Sequence, residues 1–208
     1  MYFVLYHFGK SDFPVGNFAV RLQANNEKCV LIDISEFDNF ENSEKFAAAA
    51  DYISGRIRKE LSTNRTSFSV VGYEEGGLMA YAAVAVLEKQ FGITAKNIYV
   101  IAGDSPDLQS EYDIQKRSIS SNIISMTGKK DKETTWDSVK NWSSFTSGFF
   151  INIAFEGDHY FVNENTKKIC NEIFKIERNS KPKPAYGSRS VFCSSDIFLK
   201  ANAMITTV

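Results

Sequence analysis

Glu74 is a carboxylate placed in a glycine-rich turn, and it is the residue of this chain with the clearest capacity for chemistry. The turn follows a β-branched run and precedes an alanine-rich stretch, in the segment Ser67-Phe-Ser-Val-Val-Gly-Tyr-Glu-Glu-Gly-Gly-Leu-Met-Ala. This pattern predicts a buried strand, a tight turn and a helix. A carboxylate at such a turn would project at the carboxyl end of a sheet, where open α/β folds bind ligands. Glu74 could act there as a nucleophile or as a general base.

Imidazole chemistry is restricted to two residues, because the chain has only two histidines, His7 and His159. No spacing of His, Cys or acidic residues matches a metal site, so we predict no metal and no cofactor. The three cysteines, Cys29, Cys170 and Cys193, are odd in number and widely spaced. They indicate buried thiols of a cytoplasmic protein rather than a disulfide framework.

The length and charge of the chain exclude several classes of function. Its 208 residues suit one domain, or a domain with a tail, and the net charge is −1 without a basic block. We therefore expect no nucleic-acid partner and no membrane partner. No apolar run reaches the ~18 residues of a spanning helix, and Tyr2–Tyr6 resembles a strand more than a signal peptide.

Strand-like and helix-like patterns alternate along the chain. The predicted strands are Tyr2–Tyr6, Cys29–Ile34, Ser67–Val71, Ile98–Ala102, Ile123–Thr127 and Phe149–Phe155. The predicted helices are Phe18–Leu22, Ser43–Leu61, Gly76–Phe91 and Val162–Ile176. This alternation, with strands that are continuously apolar, predicts an α/β fold with a mostly parallel sheet of about six strands and helices on both faces. Asn163 is the predicted N-cap of the helix Val162–Ile176, and Gly92 is expected to end the helix Gly76–Phe91.

The character of the chain changes after Ile176. Residues 177–190 include Lys181-Pro-Lys-Pro184 and predict a polar linker, whereas Val191–Val208 is moderately apolar again. We therefore divide the chain into a domain over residues 1–176 and a linker with a C-terminal arm over 177–208. The arm is expected to pack on its own domain or across a homodimer, and the alternative is a segment that binds another chain.

Three segments together resemble the type II thioesterases of nonribosomal peptide and polyketide synthases, which belong to the α/β-hydrolase superfamily. The first is the turn Gly72-Tyr-Glu-Glu-Gly-Gly77, which is similar to the nucleophile elbow of that superfamily. The second is Met126-Thr-Gly-Lys-Lys-Asp131, similar to the Gly-x-x-Asp segment of the family. The third is Gly157-Asp-His-Tyr-Phe161, similar to its catalytic-histidine motif. The resemblance covers roughly residues 1–176 and implies an α/β-hydrolase-like thioesterase domain.

Two departures from the family pattern affect the expected chemistry. Glu74 stands where the family has its nucleophilic serine. The long helical lid of the family is also shortened, because only about 20 residues, Gly103–Ser121, separate two predicted strands. A site without a lid is expected to be open to water.

The resemblance also implies roles for other residues. His159 would face Glu74, and Asp131 would orient the imidazole from its other nitrogen. Asp104, which follows an earlier strand, is the alternative acid, because terminal thioesterase domains place their acid there. The oxyanion hole would use the backbone N–H groups of Glu75 and Phe8.

His7, beside Phe8, either faces the cleft or is a residue at the end of a strand.

The expected function is a thioesterase-like enzyme acting on an acyl or aminoacyl group bound to a carrier protein as a phosphopantetheine thioester. With Glu74 as base or nucleophile, the reaction would be hydrolysis, cyclisation or condensation. The alternative is an inactive pseudo-thioesterase that binds a carrier protein or a synthase.

Overall fold

The computed structural model describes residues 1–7, 13–37, 43–63, 67–108 and 118–179, with side chains omitted at residues 43–45 and 108. The strands are β1 Tyr2–Tyr6, β2 Cys29–Asp33, β3 Ser69–Tyr73, β4 Asn97–Ile101, β5 Asn122–Gly128 and β6 Phe150–Phe155. The helices are α1 Val15–Gln23, α2 Ser43–Thr63, α3 Glu75–Phe91, α4 Trp136–Val139 and α5 Phe161–Asn179. Short 3₁₀ helices cover Ser35–Phe37, Pro106–Leu108 and Lys140–Phe145.

The strands form one six-stranded sheet in the order β2-β1-β3-β4-β5-β6, and every strand pair is parallel. Helices α2 and α3 bury their apolar side chains against one face of the sheet, and α1 and α5 pack on the other. Because both faces are covered, the strands are apolar on both sides, and this explains their continuous apolar runs. The predicted α/β fold with a parallel sheet is confirmed.

The strand order creates a crevice at the carboxyl end of the sheet. The chain leaves β1 for β2 on one side and later returns to β3 on the other side of β1. Ligands bind at such a switch point in open α/β sheets. Glu74 directly follows β3, and His7 directly follows β1, so both lie at this edge.

The start of helix α5 differs from the prediction, whereas the end of helix α3 agrees with it. Helix α5 begins at Phe161, so Asn163 lies inside its first turn and is not the N-cap. The turn at Asp158 starts the helix instead, since its carbonyl accepts the Phe161 N–H at 3.1 Å and its carboxylate accepts the Tyr160 N–H at 3.0 Å. Gly92 does end α3, in a left-handed conformation with φ of 64°.

Helix α5 continues past the predicted end at Ile176 to Asn179. Glu177 in its last turn contacts the amino ends of β3 and β4, at the opposite end of the sheet from Glu74. Its Oε1 accepts hydrogen bonds from Ser69 Oγ (2.5 Å), Asn97 Nδ2 (2.8 Å) and Tyr99 OH (3.0 Å). Its Oε2 lies 2.8 Å from Lys96 Nζ, and both side chains of this ion pair are largely buried. The last turn of α5 is therefore part of the folded domain rather than of a linker.

The part of the chain that the structure describes contains no helix both long and apolar enough to cross a membrane. The predicted C-terminal arm, Val191–Val208, lies outside that part, as does most of the linker before it.

Candidate active site

Glu74 occupies a strained turn between β3 and α3. Its φ of 50° and ψ of −121° fall in a region that residues with a Cβ rarely adopt. The turn is held by two backbone hydrogen bonds, from Glu74 N–H to the Ile101 carbonyl (2.8 Å) and from Gly77 N–H to the Glu74 carbonyl (2.9 Å). A Cβ at Gly72 would overlap the carbonyl of Gly76, which explains why the turn needs glycine at that position.

The loops that follow β5 and β6 are joined through their backbones. Lys130 N–H donates to the Gly157 carbonyl at 2.9 Å, and a Cβ at Gly128 would overlap the carbonyl of Asp158. This close approach brings the Asp131 loop against the His159 loop. Asp131 is fixed further, because its Oδ1 accepts the N–H groups of Glu133 and Thr134, each at 2.9 Å.

Glu74, His159 and Asp131 form a continuous polar chain across the carboxyl end of the sheet. His159 Nδ1 lies 3.0 Å from Asp131 Oδ2, and His159 Nε2 lies 3.3 Å from Glu74 Oε1. Exposure increases along this chain: the side chain of Asp131 is 0% exposed, that of His159 13% and that of Glu74 37%. A buried acid thus orients a half-buried imidazole towards a carboxylate that solvent and ligands can reach.

The charges around His159 favour its protonated form. Burial of the ring acts to lower the pKa of His159, but the hydrogen bond and charge of Asp131 act against it. The charges of Glu133 and Glu74 add to the effect of Asp131, and the pKa of His159 is raised above its ordinary value. The imidazole therefore carries its positive charge beside Glu74 over a wider pH range than a free histidine would.

The other sequence-predicted site residues lie around this chain. Glu75 is the first residue of α3, so its backbone N–H has no intrahelical acceptor and lies beside Glu74. Asp104 is half-buried beyond β4, and the imidazole of His159 contacts Asp131 rather than Asp104. His7 is half-buried after β1, whereas Phe8, the predicted second oxyanion donor, falls outside the described ranges.

Glu133 is a site residue that sequence reasoning missed. Its Oε2 lies 3.8 Å from His159 Nε2, the same nitrogen that faces Glu74, and its side chain is 71% exposed. The only signal was its position two residues after Asp131, in the turn that the Asp131 carboxylate organises. Despite these carboxylates, no group of three or more His, Cys, Asp or Glu side chains among the described residues could hold a metal ion.

The two tryptophans have different environments. Trp142 is fully buried and donates from Nε1 to the Gly103 carbonyl at 3.2 Å, close behind the elbow, whereas Trp136 is 55% exposed at the start of α4. Trp142 therefore belongs to the core, whereas Trp136 does not.

No protein-family model and no curated protein matches the sequence of this chain. Comparison of structures does find similar proteins. The RedJ thioesterase of the prodiginine pathway in Streptomyces coelicolor superposes with a TM-score of 0.66 at 13% identity, over 84% of this chain and 89% of RedJ. YbtT, a type II thioesterase of the yersiniabactin pathway, gives 0.63 at 14% identity, over 86% and 93%.

Human thioesterase 2 is similar to the same extent, with a TM-score of 0.65 at 12% identity, over 88% of this chain and 98% of the human protein. At such low identities the likeness establishes the fold. This chain therefore has the α/β-hydrolase fold of these thioesterase structures.

Proposed function

We propose that this protein is a thioesterase-like enzyme with Glu74 as its general base. Its substrate would be an acyl or aminoacyl group that a carrier protein holds as a phosphopantetheine thioester in natural-product biosynthesis. The observation on which the proposal depends is the chain from Glu74 Oε1 through His159 to Asp131, with distances of 3.3 Å and 3.0 Å. The fold supports it, because similar structures include thioesterases of nonribosomal peptide and polyketide pathways.

The chemistry of thioesters favours a base over a nucleophile at Glu74. Attack by a carboxylate would give a tetrahedral intermediate that can expel either the carboxylate or the thiolate. A glutamate carboxyl has an ordinary pKa about four units below that of a thiol, so the carboxylate is the better leaving group and the attack reverses. Removal of a proton from water, or from a nucleophile on the acyl chain, avoids this reversal.

In hydrolysis, Glu74 would take a proton from a water molecule as its oxygen bonds to the thioester carbon. The oxyanion that develops would lie by the N–H of Glu75 at the beginning of α3, where the helix dipole favours negative charge. When the C–S bond breaks, the thiolate would take up the proton that Glu74 had removed. The same base would serve cyclisation or condensation if an acyl-chain nucleophile replaced water.

Glu74→Gln tests this proposal, since the amide keeps the size of the side chain but cannot accept the proton. We expect thiol release from a series of acyl-pantetheine thioesters to fall by 10²-fold or more. Glu156→Gln is the matched control: this carboxylate lies in the loop after β6 and pairs with Lys129 rather than with His159, so its variant should retain the wild-type rate.

Equal rates for wild type and Glu74→Gln would contradict the proposed base. A wild type that binds an acyl-carrier protein but never releases thiol would instead support the non-enzymatic function. Direct binding of carrier protein, measured by calorimetry for wild type and Glu74→Gln in parallel, separates these outcomes.

A further inference from the structure

His159 faces a carboxylate oxygen from both of its ring nitrogens. Nδ1 lies 3.0 Å from Asp131, and Nε2 lies 3.3 Å from Glu74 and 3.8 Å from Glu133. The fourth group against the ring is Tyr160, whose ring approaches edge-on with centroids 5.6 Å apart. Each of the three contacts made by the ring nitrogens is therefore with a carboxylate.

A neutral imidazole does not fit between two ionised carboxylates. It has one N–H, so one of its nitrogens would direct a lone pair at a carboxylate. The imidazolium has an N–H on each nitrogen, so it can donate to Asp131 from Nδ1 and form an ion pair with Glu74 through Nε2. The arrangement therefore matches the protonated ring, and it differs from a serine hydrolase triad, in which the histidine accepts the proton of the nucleophile.

We propose that His159 works as a fixed imidazolium and that Glu133 is a positioning residue that keeps it protonated. The inference rests on the proposed function, in which Glu74 accepts the proton of water. The imidazolium would then have two roles: it orients the carboxylate of Glu74, and it places a positive charge near the oxyanion that develops on the thioester.

The position of Glu133 follows from the acid loop. The Glu133 N–H donates to Asp131 Oδ1 at 2.9 Å, so the residue that orients Nδ1 also organises the turn that brings Glu133 to Nε2. Because 71% of the Glu133 side chain is exposed, solvent and salt screen its effect on the ring. Asp131 is fully buried, so its effect persists in high salt. The raised pKa of His159 is in agreement with this arrangement.

A titration of the imidazole by NMR tests the inference directly. The chain has only two histidines, so His7→Gln assigns the ring signals without ambiguity. We expect His159 to titrate above the ordinary value of about 6.5. Glu133→Gln should lower that pKa by roughly half a unit at low salt, as expected for a solvated pair at this separation. At 1 M salt, where the Debye length is about 3 Å, the difference should largely disappear.

Glu156→Gln removes the same charge from an exposed carboxylate that does not contact His159, and it should leave the titration unchanged. A His159 that titrates at or below its ordinary value, or whose pKa is the same in wild type and Glu133→Gln, would overturn the inference. Because the Glu133 side chain is exposed, the Glu133→Gln variant should fold like wild type, and its His159 pKa can be compared directly.

The titration uses no substrate, so its outcome is independent of thioester turnover. If Glu133→Gln shifts the pKa while wild type turns over no thioester, the proposed function fails and the imidazolium stands. If turnover is observed, its rate should fall at high pH as His159 loses its proton. In Glu133→Gln this fall should begin at a lower pH than in wild type, by the same number of pH units as the pKa shift seen by NMR. A fall in rate at the same pH in both proteins would refute the positioning role of Glu133.

Discussion

The strained backbone at Glu74 predicts that replacing this residue by glycine makes the protein more stable. With φ of 50° and ψ of −121°, a residue that has a Cβ costs about 1–3 kcal/mol relative to a relaxed conformation. Glycine adopts such angles without that cost, but it loses roughly 0.5–1 kcal/mol through the greater freedom of the unfolded chain. A net gain of about 1 kcal/mol in the free energy of unfolding should remain.

The comparison that isolates the backbone is Glu74→Gly against Glu74→Ala. Both variants lose the carboxylate and its contact with His159 at 3.3 Å, and they differ only in the Cβ. Thermal unfolding followed by circular dichroism should give a Tm about 2–4 °C higher for the glycine variant, the shift expected for about 1 kcal/mol in a protein of this size. Urea denaturation at the same pH should give the corresponding difference in free energy.

The neighbouring residue provides a matched control. Glu75 is the first residue of helix α3 and has ordinary helical geometry. There, Glu75→Gly should be less stable than Glu75→Ala by about 0.5–1 kcal/mol, the opposite sign to position 74. If Glu74→Gly is no more stable than Glu74→Ala, the turn does not strain this residue. Glu74 would then show no backbone strain, the property expected of a residue that is retained for function although it lowers stability.

The remaining predictions concern the end of α5. Glu177→Ala should lower the free energy of unfolding by about 3 kcal/mol, roughly 10 °C in Tm by calorimetry, because it removes the carboxylate that balances the charge of the largely buried Lys96 and leaves only the hydrogen bond from Lys96 to the backbone carbonyl of residue 177. Burial acts to raise the pKa of Glu177, but hydrogen bonds from Lys96, Ser69 and Asn97 lower it below its ordinary value. The contribution of Glu177 to the free energy of unfolding is therefore complete above the ordinary glutamate pKa of about 4.3 and is lost as the pH falls through the lower pKa of the folded protein. In urea denaturation, the difference in stability between wild type and Glu177→Ala should shrink in acid. Truncation after Ile176 removes Glu177 and should lower the Tm by a similar amount. Truncation after Asn179 keeps Glu177 and therefore tests residues 180–208 alone. A lower Tm or a changed oligomeric state in that variant would show that these residues dock, and an unchanged Tm and oligomeric state would show that they do not.

Much of the fold could be predicted because its determinants are local. Apolar strand runs alternate with helical patterns, and this alternation is sufficient to specify a parallel sheet with helices on both faces. The elbow was equally visible, since its glycines stand where backbone atoms approach too closely for a Cβ, as at Gly72. The ends of elements were less certain. The start of α5 depends on hydrogen bonds that Asp158 accepts from Tyr160 and Phe161, and its end depends on partners of Glu177 in β3 and β4.

The sequence by itself determined the class of fold and the identity of the unusual residue, Glu74, because periodicity and turn chemistry are properties of neighbouring residues. Only the tertiary structure decided which side chains meet it. The loops after β3, β5 and β6 belong to strands that are not all adjacent, so their contacts depend on strand order and on the backbone contact of Lys130 with Gly157. That geometry places Asp131 rather than Asp104 against His159 and adds Glu133, which no local pattern specifies.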